Sequence, residues 1–177
     1  THSGKAYQPK VTRATSAPAK VQYSVSYSNN KNAGTATVTI KGKGSYSGTI
    51  TKTFAINKQS ITNATFKSCT ESVYYNGAAQ KPKTTVKLGS KTLKAGTDYT
   101  IYVNNAAAGQ SAVGSYTVKI VGAGNYTGTV STTKTFAIKA ITLDQVKVSL
   151  SSTVLKYNSG KTVTPTVTVK YGKNVLT

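Results

Sequence analysis

Apolar and polar residues alternate with a period of two along most of the chain. In residues 35–40, TATVTI, the side chains of Ala36, Val38 and Ile40 share one face and Thr35, Thr37 and Thr39 the other. That is the pattern of a strand with one covered and one wet face. Tyr23, Val25 and Tyr27 form another such row, matched by Tyr99, Ile101 and Val103, and Tyr116, Val118 and Ile120 a further one. Val163, Val167 and Val169 alternate likewise with Thr162, Thr164, Thr166 and Thr168. Helical spacing is nowhere sustained. Short strands separated by Gly, Asn and Ser turns every 8 to 12 residues or so predict a sandwich or small barrel. The Thr, Val and Tyr bias agrees, because these residues suit a pleated, half-buried surface.

The turns carry matching signals. Asn29 and Asn30, like Asn104 and Asn105, stand between strand rows, where Asn tolerates left-handed backbone. GKGSYSG (residues 42–48) and GAGNYTG (residues 122–128) surround one Tyr with three Gly, so the chain can reverse while Tyr46 or Tyr126 covers the end of a core. A phosphate-cradling loop would need a helix to follow, and strand-like TITKTFAI and TVSTTKTFAI follow instead.

Comparing the chain with itself is more informative still. Residues 33–56, AGTATVTIKGKGSYSGTITKTFAI, parallel residues 113–138, VGSYTVKIVGAGNYTGTVSTTKTFAI. Two extra residues fall at positions 131–134, where a bulge or longer turn would absorb them. Gly followed after a short gap by Pro recurs in GKAYQP, GAAQKP and GKTVTP, and ITNATF at Ile61 parallels ITLDQV at Ile141. The period is about 80 residues, with residues 58–139 forming the complete copy. Residues 1–57 lack the opening strand corresponding to residues 61–75, and residues 140–177 are the N-terminal part of a third copy.

Composition narrows the function. Among 177 residues, 23 are Lys or Arg and 3 are Asp or Glu, a formal net charge of +20. With only Glu71, Asp98 and Asp144 as acids, no carboxylate pair for glycoside chemistry and no Mg or Ca cluster can be drawn. A lone His2 and a lone Cys69 offer neither a zinc ligand set nor a nucleophile triad. Catalysis, cofactors and metals are not expected. One Cys leaves no internal disulfide, and Cys69 is expected to pack as a small apolar group. No apolar run of about 18 residues is present, so no membrane insertion by helix is expected. Thr1 in place of an initiating Met fits a mature or excised piece of a longer product.

Charge of this size attracts polyanions at low salt. A specific nucleic-acid partner is not expected, since base readers favour Arg and this chain has only Arg13. Lys41, Lys43, Lys81, Lys83 and Lys170 are the candidates for polyanion contact. Exposed Tyr could stack on sugar rings, although alternating Tyr usually packs. A Lys–Asn isopeptide crosslink needs a buried acid, for which Asp98 or Glu71 could serve in the middle copy alone.

The set Tyr75-Asn76-Gly77, Gly96-Thr97-Asp98-Tyr99, Asn104-Asn105 and Gly124-Asn125-Tyr126-Thr127-Gly128 resembles the MBG and YDG types of tandem repeat in surface proteins of Gram-positive bacteria. The first copy departs from that pattern, carrying Val21-Gln22-Tyr23 where GTDY stands. The resemblance implies extracellular display at a bacterial cell surface and an architectural role, in adhesins and Ig-like arrays. The expected fold is all-β, as tandem small β-sandwich (Ig-like) repeats, with β-grasp-like or small β-barrel modules as the alternative. The expected function is a stalk or filament unit. Its partners would be copies of itself head to tail, or neighbouring repeats, and acidic surface polymers or host glycans. A C-terminal segment around Ile141, Val146, Val148 and Leu150 could supply the strand that the first copy lacks.

Overall fold

The computed structural model describes residues 1–12 and 20–176, so Arg13 lies outside the described residues. Within them the chain is all-β and built from several small sheets, with a single turn of 3-10 helix at Leu143–Gln145.

The first sheet is an antiparallel meander of β1 (Tyr23–Ser28), β2 (Gly34–Gly42) and β3 (Thr49–Ile56). Its strands are the alternating rows of the sequence, and β2 at the centre carries Ala36, Val38 and Ile40 on one face.

The middle of the chain has two sheets. After β4 (Gln59–Ser60) come β5 (Thr65–Cys69), β6 (Ser72–Tyr74), β7 (Thr84–Leu88), β8 (Lys91–Leu93), β9 (Tyr99–Val103), β10 (Gly114–Gly122), β11 (Tyr126–Thr127) and β12 (Lys134–Lys139). One sheet has the order β6-β12-β10-β9 and the other β5-β7-β8, while β4 and β11 form a short parallel pair. The two sheets enclose one core. Phe66, Val86 and Leu93 enter it from the smaller sheet, and Tyr99, Val103, Val118, Ile120, Phe136 and Ile138 from the larger. Ile61, Tyr126 and Val130 complete it. The last segment holds a third meander, β13 (Lys147–Leu150), β14 (Val167–Tyr171) and β15 (Asn174–Leu176).

The same strand registers occur twice. Gly34↔Ile56, Ala36↔Phe54 and Val38↔Lys52 repeat as Gly114↔Ile138, Tyr116↔Phe136 and Val118↔Lys134. Tyr23↔Gly42 and Val25↔Ile40 repeat as Tyr99↔Gly122 and Ile101↔Ile120. At the other end, Val86↔Leu93 and Leu88↔Lys91 repeat as Val169↔Leu176 and Tyr171↔Asn174. The turns repeat as well: Gly42 N donates to Gly48 O and Gly122 N to Gly128 O. Gly is required at 42 and 122 because a Cβ would lie 2.5 Å from Tyr46 O or 2.6 Å from Thr127 N. Asn29, Asn104 and Asn105 take positive φ, the left-handed backbone expected of them.

Two expectations need correction. Residues 61–75 are not one opening strand: β5 belongs to the smaller sheet and β6 crosses over to pair in parallel with β12. The 162–169 row is a strand only from Val167, because Pro165 has no N–H to give a ladder and confines pairing to the residues beyond it. The extra residues near 131–134 sit, as expected, in a longer connection before β12, where Ser131 N donates to Thr62 O.

Because Phe136 is fully enclosed by both sheets while Phe54, at the same register, is only half-buried, the two should respond differently to truncation. Phe136→Ala should cost about 3–5 kcal/mol in urea unfolding and Phe54→Ala clearly less. Equal losses would contradict a core confined to the middle segment.

Candidate functional site

Chemistry-bearing groups are sparse. Among the described residues no three His, Cys, Asp or Glu side chains gather as a metal site would require, and no helix is long and apolar enough to cross a membrane. A depression of about 350 Å³ is lined by Cys69, Glu71, Thr117, Thr133, Lys134 and Thr135. Burial pushes the Cys69 thiol up from its ordinary pKa, Lys134 opposes this and Glu71 reinforces it. The thiol is thus held protonated near neutral pH, in a poor state for nucleophilic attack. Lys134 Nζ lies 5.6 Å from the centre of the Phe66 ring, which gives the lysine a packing role beside that depression.

The acids named for an isopeptide crosslink sit apart from a Lys–Asn pair. Lys119 Nζ donates to Asn105 Oδ1 at 3.2 Å, but the pair is exposed. Asp98 instead accepts the backbone N–H of Lys94 at 2.9 Å, and Glu71 is exposed. Lys91 Nζ donates to the Tyr126 hydroxyl, a contact that raises the lysine pKa, and it stands 5.1 Å from that ring's centre.

The candidate polyanion contacts, Lys41, Lys43, Lys81, Lys83 and Lys170, are all exposed. They do not form one cluster by position in the fold. Lys41 and Lys43 lie at the end of β2 and just after it, Lys81 and Lys83 on the approach to β7, and Lys170 on β14 opposite Lys147.

Exposed apolar surface is the more telling feature, and it lies at both ends of the fold. Ile50 pairs with Ile40 as Val130 stands by Ile120, yet Ile50 is 57% exposed and Val130 1%. Tyr23 is 36% exposed and its counterpart Tyr99 1%. On the last sheet Val148 faces Val169 as Phe66 faces Val86, yet Val148 is 58% exposed and Phe66 5%. Of the residues named for strand donation, Val148 and Leu150 are exposed on β13, Val146 just precedes it and Ile141 is half-buried before the 3-10 turn.

Three further groups join the segments. Asn125 Oδ1 accepts from Ala33 N at 2.8 Å and its Nδ2 donates to Asn32 Oδ1 at 3.1 Å. Buried His2 packs edge-on against Tyr126 with ring centres 5.7 Å apart, its Nδ1 3.0 Å from Lys31 O. At the far end Gln145 Nε2 donates to the Tyr74 hydroxyl at 2.7 Å and the Tyr74 and Tyr171 rings lie 5.4 Å apart. Sequence reasoning singled out Asn125 and Tyr126 for their turn and passed over His2 and Gln145, which no local motif marks. Asn125 could have been read as a joint residue only from its mismatch with Ser45, the equivalent position of the first hairpin.

Comparison with known proteins gives no match: no family model, no curated sequence and no solved structure resembles this chain closely enough to count.

The Asn125 side chain ties the first segment to the middle one, so Asn125→Ala should release it. Nitrogen-15 relaxation should then report faster tumbling of β1–β3 relative to β9–β12, with a stability loss of about 1 kcal/mol. Unchanged relative tumbling would assign the joint to other contacts.

Proposed function

We propose that the chain is a non-enzymatic structural element of an extracellular bacterial surface, a stalk or filament-forming unit of an adhesin built from tandem Ig-like sandwiches. The observation that carries this reading is the recurrence of one set of registers and turns in successive segments. Serial copies of one small β-unit space a distal part away from an anchor, each contacting only its neighbours. Residues suited to pleated packing, with few acids and no gathered catalytic groups among the described residues, fit such work. Head-to-tail association of copies extends the same architecture. Antibody raised against the chain should bind intact source cells, and binding only after permeabilisation would overturn the surface reading.

A second reading, an adhesive module for acidic glycans or other polyanions, is favoured by the net charge of +20 and the exposure of Lys41, Lys43, Lys81, Lys83 and Lys170. Binding to an acidic glycan through scattered Lys should vanish at about 1 M salt, where the Debye length is roughly 3 Å. Binding that persists there and is lost on replacing exposed Tyr would instead mark a built sugar site.

A further inference from the structure

A short polar residue followed by glycine stands ahead of each Pro-containing stretch, as Ser3-Gly4, Asn76-Gly77 and Ser159-Gly160. The three glycines take left-handed backbone, with φ of +79°, +77° and +74°, which glycine adopts without strain. In the first two turns the side chain caps the bend. Ser3 Oγ accepts the N–H of Lys5 at 3.4 Å and Asn76 Oδ1 that of Ala78 at 3.0 Å. The flanks match as well: His2 N donates to Asn57 O as Tyr75 N does to Lys139 O, and Tyr7 N to Asn30 O as Gln80 N to Gln110 O. A hydroxyl therefore suffices for this turn. The middle copy alone carries a carboxamide there, and Asn76-Gly77 is the one Asn-Gly pair in the sequence.

We infer that Asn76-Gly77 is a self-modification site, at which the folded chain converts its own asparagine to aspartate and isoaspartate and so alters the joint between the middle and last segments. The Gly77 main-chain nitrogen attacks Asn76 Cγ, its proton departs with the side-chain amide as ammonia, and a cyclic succinimide forms. Water then adds at either ring carbonyl and reopens the ring. Water enters and ammonia leaves, so the step needs no oxidant and no cofactor.

The turn is arranged for this chemistry. Asn76 and Gly77 are both exposed, so water reaches the ring. A Cβ at Gly77 would meet no atom within 4 Å, which leaves room for closure. Among the described residues the Gly77 N–H makes no main-chain hydrogen bond, so none has to break before the attack. The Ala78 N–H already points at Oδ1, the oxygen on which negative charge develops as Cγ becomes tetrahedral. A neighbouring segment does not close this position: Ser3, its equivalent, stays exposed although His2 beside it is buried against Tyr126. Asn125 is the contrast. Both ends of its amide are bonded, to Ala33 N and Asn32 Oδ1, and the buried Tyr126 follows it.

The product forms where two segments meet. Tyr75, Asn76 and Gly77 line a depression of about 210 Å³ together with Ile141 and Tyr171 of the last segment. Conversion adds a carboxylate there to a chain of net charge +20, and isoaspartate lengthens the main chain between the hydrogen bonds at Tyr75 and Gln80. The residue just before this turn, Tyr74, carries both the hydroxyl that Gln145 reaches and the ring paired with Tyr171.

Trypsin, which spares the Lys81–Pro82 bond, yields a peptide of residues 68–83 in which Asn76 is the sole asparagine, and one of residues 120–134 in which Asn125 is. After incubation of the folded chain at mildly alkaline pH, peptide 68–83 should gain the mass of an amide-to-acid exchange and become a substrate for isoaspartyl methyltransferase, while peptide 120–134 stays unchanged. The amide NMR signals of Gln145 and Tyr171 should move as conversion proceeds. Asn76→Ser, which copies the Ser3 turn, should fold as the parent does and hold those signals fixed through the same incubation. Peptide 68–83 unchanged, or changing no faster than peptide 120–134, would overturn the proposal, as would Gln145 and Tyr171 signals that ignore the conversion.

Discussion

A β-sheet with alternating apolar and polar residues has one face that must leave water, and a second layer has to cover it. This requirement governs the whole molecule. The middle segment meets it internally, by sending β5 into one sheet and β6 into the other within a few residues, so that its core takes side chains from both layers. Among the described residues the first and last segments carry one sheet each, and Tyr23, Val25 and Ile50 at one end and Val148, Leu150 and Leu176 at the other are in contact with solvent. Each apolar square ångström left there forgoes about 25 cal/mol of burial.

Joining segments is a separate problem from filling them, and it is solved with polar contacts and edge-on ring pairs, His2 with Tyr126 and Tyr74 with Tyr171. Asn125 bridges to Asn32 and Ala33, and Gln145 reaches the Tyr74 hydroxyl. The hydrogen bonds among them fix orientation while adding little burial. The wet faces bear Thr and Lys, and repulsion among so many cations discourages edge-to-edge aggregation of the sheets.

Much of the strand content was legible in the alternation of Thr with Val and Ile. The repeat between residues 33–56 and 113–138 foretold matching registers, since identical turn glycines fix the hairpin and the hairpin fixes the pairing. What alternation does not carry is the partner of each strand. Residues 61–75 look like one extended run, and only the crossover between Cys69 and Ser72 reveals that its two parts serve different sheets. The strand break before Val167 was written in Pro165 but masked by the surrounding Thr and Val. As for the candidate site, Val148 and Leu150 were found through their apolar pattern. The lysines were visible as charge, yet their dispersal over three segments depends on the topology.

Hydrogen exchange on the whole chain reaches the central claim most directly, because amide protection follows the local completeness of a core. In dilute solution β10 and β12 should be strongly protected and β2, β3 and β14 weakly. Three segments equally protected would contradict an account in which the two-layered core lies in the middle segment.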